Sequence, residues 1–203
     1  MKPESINKSN LKTLYKTKYI KLYDLNYQDN AHYYIASRND EDNLAIKKDA
    51  DQLSAEKPNG VGCVLIVNDK LYLNYEYRLP LGQYTLSVPA GLIEDNEDIF
   101  SAAKREIREE TGLIVRKMEM INPLMFSSPG FTDESNAMVV AYSDDNHFTQ
   151  NNCEETEYFN GYVLLSKEEA KQLLKLPCDK NKNFFSVYTI VAILYFLSLD
   201  KIK

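Results

Sequence analysis

The segment GLIEDNEDIFSAAKREIREETGL, from Gly91 to Leu113, decides how the rest of the chain is interpreted. Charged residues stand at fixed spacings between a first and a last glycine. At average residue usage, seven such identities coincide by chance only about once in 10^8 windows. The pattern therefore indicates a functional site. The spaced residues are Gly91, Glu97, Arg105, Glu106, Glu109, Glu110 and Gly112.

The second half of this segment is predicted to be a helix. Residues Ala102 to Thr111 include many strong helix formers, and no proline lies between the two glycines. Gly112 stands where a helix is expected to stop. Asp95 or Asn96 is the expected N-cap, because both side chains accept hydrogen bonds from a first helical turn.

Three glutamates of this helix point to a metal site. Glu106, Glu109 and Glu110 are three or four positions apart, so their carboxylates share one face. Like charges at such spacing destabilise a helix unless something neutralises them. Mg²⁺ does so, since it prefers carboxylate and phosphate oxygens. The alternative from periodicity alone is a solvated face on which Arg105 pairs with Glu109.

The whole segment resembles the signature of the Nudix hydrolases, GX5EX7REUXEEXGU, in which U is a bulky aliphatic residue. Every required position is filled, and Ile107 and Leu113 occupy the aliphatic positions after the arginine. The resemblance implies an α/β Nudix fold: a mixed β-sheet packed between α-helices in an α/β/α sandwich, with a small N-terminal β lobe.

The same resemblance assigns roles to the charged residues. It implies that Glu106 and Glu110 bind Mg²⁺, with Mn²⁺ as the alternative ion. Glu109 binds a second ion or orients water, which makes it a catalytic residue. Arg105 belongs to the catalytic machinery by bracing the loop and helix together with Glu97.

The string YEYRLPLGQYTLSVPAG, which runs into the glycine, resembles the subgroup that hydrolyses ADP-ribose and related nucleoside diphosphate sugars. By that resemblance Arg78 contacts the diphosphate and the carbonyl of Ala90 is a metal ligand. A surface arginine is the alternative for Arg78. Ser87 and Glu76 depart from the subgroup, which commonly has glutamate and glutamine there, and the chain has no tryptophan to stack on adenine.

Two later segments are candidate parts of the substrate site. SSPGFTDES resembles the proline loop of ADP-ribose pyrophosphatases and predicts substrate contacts from Ser128, Gly130 and Asp133; an ordinary Pro-Gly turn is the alternative. In the enzymes that the chain resembles, a loop glutamate after the signature can act as general base, so the acidic segment SDDNHFTQNNCEETE is expected to supply it. Glu155 is the first choice, Glu154 and Glu157 are alternatives, and a solvated acidic loop is the other interpretation.

Composition narrows the class of protein. A net charge of −6 argues against general nucleic-acid or anionic-membrane binding. Cys63, Cys153 and Cys178 lack CxxC spacing, which fits a reducing compartment, and Cys63 is expected in the core. The first ten residues contain no apolar signal region, so a cytoplasmic location is expected. The apolar run 184–199 is predicted to be a buried helix.

Strand patterns extend the predicted fold to both sides of the signature segment, Gly91 to Leu113, which is called the box below. KYIKLYDLNY and AHYYIAS predict two strands joined at Gln28 to Asn30, in a lobe of residues 1–58 before the hydrolase domain, 59–203. The resemblance implies that this lobe builds a homodimer; a plain edge hairpin is the alternative. A hairpin is predicted around Asn68 and Asp69, and a strand at Leu113 to Arg116. Ser166 is predicted to open a further helix with a capping box.

These expectations combine into one predicted reaction. The chain is expected to hydrolyse, with Mg²⁺, a nucleoside diphosphate linked to another group, ADP-ribose giving AMP and ribose 5-phosphate. Another sugar nucleotide or a dinucleotide is the alternative substrate. The alternatives to an enzyme are a Nudix domain that senses nucleotide sugars without catalysis and a structural dimer module.

Overall fold

A computed structural model of the chain describes residues 10–28, 31–145, 147–149 and 158–199. Its helices are α1 (Ala50–Ser54), α2 (Ile99–Thr111), α3 (Lys167–Leu173) and α4 (Val187–Ser198). Its strands are β1 (Leu11–Lys16), β2 (Lys21–Gln28), β3 (Ala31–Ser37), β4 (Gly60–Val67), β5 (Lys70–Arg78), β6 (Gln83–Ser87), β7 (Ala90–Leu92), β8 (Lys117–Phe126), β9 (Ser135–Ser143), β10 (Phe159–Leu165) and β11 (Phe184–Phe185).

The chain divides into two compact units. The first contains Met1–Asn59 and Leu124–Asn136, and the second contains Gly60–Pro123 and Ala137–Lys203. The first unit holds a three-stranded antiparallel sheet in the order β1-β2-β3. The sequence predicted two of these strands. It missed β1 because LKTLYK is almost wholly exposed and has no buried face, so only its backbone pairing with β2 makes it a strand.

The hairpin of β4 and β5 opens the second unit. Asn68 and Asp69 both have positive φ angles, 46° and 65°, which is the backbone of a two-residue type I′ turn. Residues of β4 are buried along the whole strand. The predicted hairpin is confirmed.

The sheet of the second unit has eight strands and is mixed. Six follow the order β11-β6-β5-β4-β9-β8, while β10 also pairs with β5 and β7 with β4. The pairing of β11 with β6 is parallel, whereas β5 pairs antiparallel with β4, β6 and β10. The predicted mixed sheet of an α/β fold is confirmed.

Helix α2 packs on one face of this sheet. Its buried Ala103 and Ile107 join a core with Val61, Cys63 and Leu65 of β4. The alternate residues of the same strand are equally buried, so both faces of β4 are covered. Helix α4 packs against β4, β5 and β6. The expectation that Cys63 is a core residue is confirmed.

Helix α2 begins later than the two predicted N-caps suggested. Its N-cap is Asp98, not Asp95 or Asn96: Oδ1 of Asp98 accepts hydrogen bonds from the backbone N–H groups of Phe100 and Ser101, at 2.8 and 3.1 Å. The Ser101 hydroxyl also donates to Oδ2, at 2.6 Å. This extra donor favours Asp98 as the cap, in place of the two residues predicted from the sequence.

The strand predicted at Leu113 to Arg116 is wrong. Those residues lie outside the strands, and β8 begins at Lys117. Gly112 has a φ of 75°, so the chain turns sharply at the end of α2. Leu113 is then buried in the core that α2 covers, and the carbonyl of Ile114 accepts a hydrogen bond from the Ser143 side chain.

The later helices follow their capping signals. Ser166 caps α3 in a capping box with Glu169, as predicted. The apolar run forms helix α4 only from Val187, with Ser186 as N-cap, because Phe184 and Phe185 pair with β6 instead. Among the residues that the structure describes, no helix is long and apolar enough to span a bilayer.

Candidate active site

The three box glutamates differ in exposure although they share one face of α2. Glu106 and Glu110 are buried, at 8% and 3% relative exposure. The side chain of Glu109 is 41% exposed. Two carboxylates are therefore fixed inside the second unit, and the third is accessible to solvent.

Arg105 binds three carboxylates and one carbonyl. Its Nε and Nη2 donate to the two oxygens of Glu97, at 3.0 and 2.9 Å. Nη1 donates to Glu106 at 2.7 Å and to Glu109 at 3.1 Å, while Nη2 also donates to the carbonyl of Leu92 at 2.9 Å. The pKa of this guanidinium is raised, and the hydrogen bonds with Glu97 are the largest cause. The geometry is that of a brace between the loop and the helix.

Glu110 is held by two hydrogen-bond donors on the sheet side. Its Oε1 accepts from the backbone N–H of Ala90, at 3.0 Å, and its Oε2 from the Asn74 side-chain amide. The Tyr72 hydroxyl donates to Oδ1 of Asn74 at 2.6 Å. Sequence reasoning missed both Asn74 and Tyr72. The available signal was an asparagine in the middle of an apolar strand, where this residue is normally depleted.

The first glycine of the box makes room for Glu106. A Cβ atom at Gly91 would lie 1.9 Å from Oε1 of Glu106 and 2.1 Å from its carboxyl carbon. Only a residue without a side chain allows this approach. The Glu106 carboxylate is thereby brought against the backbone that follows Ala90.

The last glycine of the box anchors the segment after β9. A Cβ at Gly112 would lie 2.0 Å from the Thr149 hydroxyl and 2.8 Å from its backbone nitrogen. The Thr149 N–H donates to the carbonyl of Thr111 at 2.9 Å. The ring of Phe148 stacks on Tyr72 and Tyr162, with centroid distances of 5.6 and 4.3 Å. The candidate bases Glu154, Glu155 and Glu157, and also Cys153, lie outside the described residues.

Arg78 lies at the end of β5 and pairs with Glu76. Its Nη1 is 2.7 Å from Oε1 of Glu76, and the two side chains are 48% and 11% exposed. Ser87 on the neighbouring strand β6 is buried, and its hydroxyl is 2.9 Å from that of Thr85. Both departures from the subgroup thus have a partner within the second unit.

Ser128, Gly130 and Asp133 form a compact loop in the first unit. The carbonyl of Ser128 accepts from the N–H groups of Phe131 and Thr132, at 2.8 and 2.9 Å. The carbonyl of Gly130 accepts from the Tyr33 hydroxyl at 2.5 Å. The loop is therefore a hydrogen-bonded turn tied to β3.

Asp133 lines a cavity of about 570 Å³ within the first unit, together with Tyr27, Tyr33 and Phe131. Its Oδ2 accepts from the side-chain amide of Asn39 and from the N–H of Ala45, at 3.3 and 3.1 Å. Its Oδ1 is buried and has no hydrogen-bond partner among the described residues. The substrate roles of this loop remain predictions.

The box residues fit a divalent cation with oxygen ligands. Among the described residues, no three Asp, Glu, His or Cys side chains form a complete metal-binding cluster. Mg²⁺ is usually held by one or two carboxylates, with waters and substrate phosphates as its other ligands. Glu106 and Glu110 beside the backbone of Ala90 provide such a set, and the space that Gly91 leaves is occupied by the first carboxylate.

The α/β fold and the box define a class of protein, and comparison with known families agrees. The NUDIX domain profile matches residues 56–185, close to two thirds of the chain. The chain belongs to the Nudix hydrolase family. Nudix hydrolases generally use a divalent metal ion.

Several individual proteins are similar in sequence to this chain. The chain is 46% identical to the putative nudix hydrolase 2 of Caenorhabditis elegans over 77 residues, which cover 37% of this chain and 34% of that protein. It is 30% identical to the methanol dehydrogenase activator of Bacillus methanolicus over 72% of this chain and 76% of that protein. It is 29% identical to the ADP-ribose pyrophosphatase of Saccharomyces cerevisiae over 58% of this chain and 55% of that protein.

A solved structure shares the architecture. The crystal structure of an ADP compounds hydrolase superposes with a TM-score of 0.64 and covers 97% of this chain and 96% of its own. The two sequences are 19% identical. This likeness supports the fold, and the predicted Nudix fold is confirmed.

Proposed function

We propose that this protein is a Mg²⁺-dependent hydrolase that cleaves the pyrophosphate of a nucleoside diphosphate linked to another group, with ADP-ribose giving AMP and ribose 5-phosphate. The observation that carries the proposal is the pair of buried carboxylates, Glu106 and Glu110, held against the backbone at Ala90 and Gly91. Two buried anions on one helix face are costly unless cations neutralise them. Arg105 pairs with Glu106, whereas Glu110 is hydrogen-bonded by the uncharged donors of Ala90 and Asn74, so a bound cation would stabilise the pair further.

The residues of the box have separate tasks in this reaction. Hydrolysis forms a bond between water oxygen and phosphorus while the bridging P–O bond breaks, and a base takes the water proton. A bound divalent ion neutralises phosphate oxygens and makes water more acidic. Glu106 and Glu110, with the carbonyl of Ala90, would hold that ion. Glu109, whose side chain is partly accessible, would bind a second ion or orient the water, and Arg105 would keep the carboxylates in place.

Substrate contacts are proposed outside the helix. Arg78 would bind the diphosphate, because its guanidinium is half exposed and suits phosphate oxygens. Ser128, Gly130 and Asp133 are proposed as the substrate loop. Glu155 is the proposed general base, with Glu154 and Glu157 as alternatives.

Several relatives favour an ADP-containing substrate. Besides the yeast enzyme, an ADP-ribose pyrophosphatase of Bacillus subtilis is 38% identical over 80 residues, 38% of this chain and 43% of that protein. We therefore place ADP-ribose first. Mn²⁺ is the alternative ion, since it also accepts carboxylate and carbonyl oxygens.

The test is release of AMP from ADP-ribose, other sugar nucleotides and dinucleotides, with and without Mg²⁺. In Glu106→Gln we expect metal-dependent turnover to fall strongly. Loss of a group that only supports a metal ligand costs about 10- to 100-fold, and loss of a ligand itself should cost no less. Glu168→Gln, an exposed glutamate of α3, is the matched control and should keep full turnover. Undiminished turnover in Glu106→Gln would contradict the metal assignment.

A second candidate is hydrolysis of a different ADP compound. The observation that favours it is Ser87, whose buried hydroxyl pairs with Thr85 where the subgroup commonly has a glutamate. An ADP compounds hydrolase of Escherichia coli is also similar, 27% identical over 95 residues. A dinucleotide turned over faster than ADP-ribose would favour this candidate. Binding that depends on Mg²⁺ without AMP release would favour a sensor.

The setting of the reaction is proposed from the sequence. We propose a cytoplasmic homodimer built through the N-terminal lobe, residues 1–58, and acting on a small nucleotide without nucleic acid or membrane. Light scattering of the purified chain tests the dimer, and a monomeric mass across micromolar concentrations would exclude it.

A further inference from the structure

A buried chain of hydrogen bonds runs from β5 to the end of α2. The hydroxyl of Tyr72 donates to Oδ1 of Asn74 at 2.6 Å, and the Asn74 amide nitrogen donates to Oε2 of Glu110. Tyr72 and Asn74 have no exposed surface, and Glu110 is 3% exposed. All these residues belong to the second unit.

The donor and acceptor types fix how the amide faces. An ionised carboxylate only accepts hydrogen bonds, so the Asn74 nitrogen must face Glu110. The carbonyl oxygen of the amide then faces Tyr72, whose hydroxyl supplies the proton. The ring of Tyr72 is itself held by stacking on Phe148 and Tyr162, at 5.6 and 5.2 Å. The stacked ring therefore keeps the Tyr72 hydroxyl in place, and the hydroxyl keeps the Asn74 amide in one orientation.

The hydrogen bonds from Ala90 and Asn74 to Glu110 are compatible with metal binding. The Ala90 N–H occupies one lone pair of Oε1, and Asn74 one lone pair of Oε2. Each carboxylate oxygen has a second lone pair. The carboxylate is thus oriented by fixed donors before any ion binds. Groups that orient metal ligands in this way strengthen metal binding.

An asparagine at this position is otherwise unfavourable. Strand β5 is buried from Leu71 to Asn74. The residues on either side of Asn74 are Leu73 and Tyr75, one apolar and one aromatic. Asparagine is depleted in strands, and a buried amide costs free energy unless it is hydrogen-bonded. Leucine would fill similar space without that cost.

We propose that Asn74, with Tyr72 behind it, is a positioning residue that orients Glu110 for divalent-metal binding. The inference rests on the proposed function, because it takes Glu110 as a metal ligand. It adds a residue outside the box to the metal site. Asn74 would act through the carboxylate of Glu110.

The experiment measures Mn²⁺ affinity directly, from the electron paramagnetic resonance signal of unbound Mn²⁺, in the full chain without substrate. Asn74→Leu is expected to lose about 10- to 100-fold in affinity, the range for groups that support a metal ligand. Tyr72→Phe keeps the stacked ring and removes only the hydroxyl. Tyr72→Phe should also weaken Mn²⁺ binding, but by less than Asn74→Leu. It provides the test of the proposal if Asn74→Leu does not fold.

Ser143→Ala is the matched control for a structural effect. Ser143 is buried in the second unit, and its hydroxyl donates to the carbonyl of Ile114 at 2.8 Å. This variant should lower Tm without changing Mn²⁺ affinity. If Asn74→Leu and Tyr72→Phe lower Tm in the same way and leave Mn²⁺ affinity unchanged, Asn74 is only structural and the proposal is overturned.

The proposed function can fail separately. If the wild-type chain binds Mn²⁺ but releases no AMP from any ADP compound, the hydrolase is excluded, while the affinities of the variants still decide the role of Asn74. If the wild-type chain binds no Mn²⁺, Glu110 is not a preformed metal ligand, and the positioning role is overturned.

Discussion

The carboxylate of Glu106 lies directly against the backbone of Gly91, so close that a Cβ atom at position 91 would be 1.9 Å from Oε1. The obstructed atoms are at the far end of a flexible side chain. A larger residue would therefore displace the carboxylate more easily than it would disrupt the fold.

Gly91→Ala is expected to reduce metal affinity and turnover strongly while it changes Tm little. The physical reason is that Glu106 must swing away from the backbone beside Ala90. Mn²⁺ affinity, AMP release and a thermal melt on one preparation check this. A variant that keeps its metal affinity, or that loses affinity only in proportion to unfolding, would show that the contact has no functional role.

Gly112→Ala should have the opposite signature. The φ angle of Gly112 is 75°, which costs an alanine about 1–2 kcal/mol. Backbone atoms of Thr149 would also lie 2.8 and 2.9 Å from the new Cβ, and overpacking of this kind costs about 1–3 kcal/mol. Denaturant unfolding should show a large loss of stability. Gly161→Ala is the control, because it has a φ of 83° but open space around the Cβ, and it should lose only the conformational part.

Local signals in the sequence were enough for the box helix, the hairpin and the capping box of α3. Each depends on residues within a few positions of one another: Gly112 at a helix end, Asn68 and Asp69 in a turn, Ser166 with Glu169. The side chains that carry the metal-site prediction came from spacing along one helix, which is also local.

The missed features depend on partners far along the chain. Strand β1 exists through pairing with β2 and has no pattern of its own. Asn74 could not be connected to Glu110, since 36 positions separate them and only the fold brings them together. The strand predicted after Gly112 begins instead at Lys117, and the segment before it is held by a distant residue, Ser143, whose hydroxyl donates to the carbonyl of Ile114. Tertiary packing decided each case.

The Asp98 cap gives α2 a pH-dependent contribution to stability. The Ser101 hydroxyl and the backbone N–H groups of the first turn lower the pKa of Asp98 below its ordinary 3.8. The ionised form is thus favoured by folding. Its contribution is present above the ordinary pKa and is lost as the pH falls through the lower, folded value.

Asp98→Ala should therefore lower Tm at neutral pH, and the difference from wild type should shrink at a pH well below 3.8. Asp95→Ala, at an exposed aspartate of the same loop, is the control and should have a smaller effect. An equal effect of Asp95→Ala, or a difference that does not change with pH, would contradict the assignment of the cap.

Arg105→Lys is expected to destabilise the protein and to lower turnover. A lysine cannot reproduce the fork that holds both oxygens of Glu97 while it also reaches Glu106 and Glu109. Hydrogen bonds to charged groups contribute about 1.5–3 kcal/mol each; the partial exposure of this cluster reduces that. Arg108→Lys, at an exposed arginine of the same helix, should be close to neutral in a thermal melt. Equal melting temperatures for the two variants would exclude the brace.

The ion pair between Arg78 and Glu76 is expected to weaken the binding of a doubly anionic substrate. Glu76 lies 2.7 Å from the guanidinium and offsets the charge proposed to bind diphosphate. Glu76→Gln keeps the size and a hydrogen-bonding group but removes that charge. We expect a lower KM for ADP-ribose with kcat little changed, and a steeper loss of affinity as salt is added, because the uncompensated arginine attracts the anion more strongly.

A double-mutant cycle separates this from a general surface effect. Arg78→Ala should raise KM, and the gain from Glu76→Gln should disappear when Arg78 is already alanine, since contacting residues are not additive. If Glu76→Gln instead raises KM, the carboxylate serves to hold Arg78 in its binding position. If the two effects simply add, Glu76 acts on the substrate without Arg78, and the pairing seen in β5 does not control diphosphate binding.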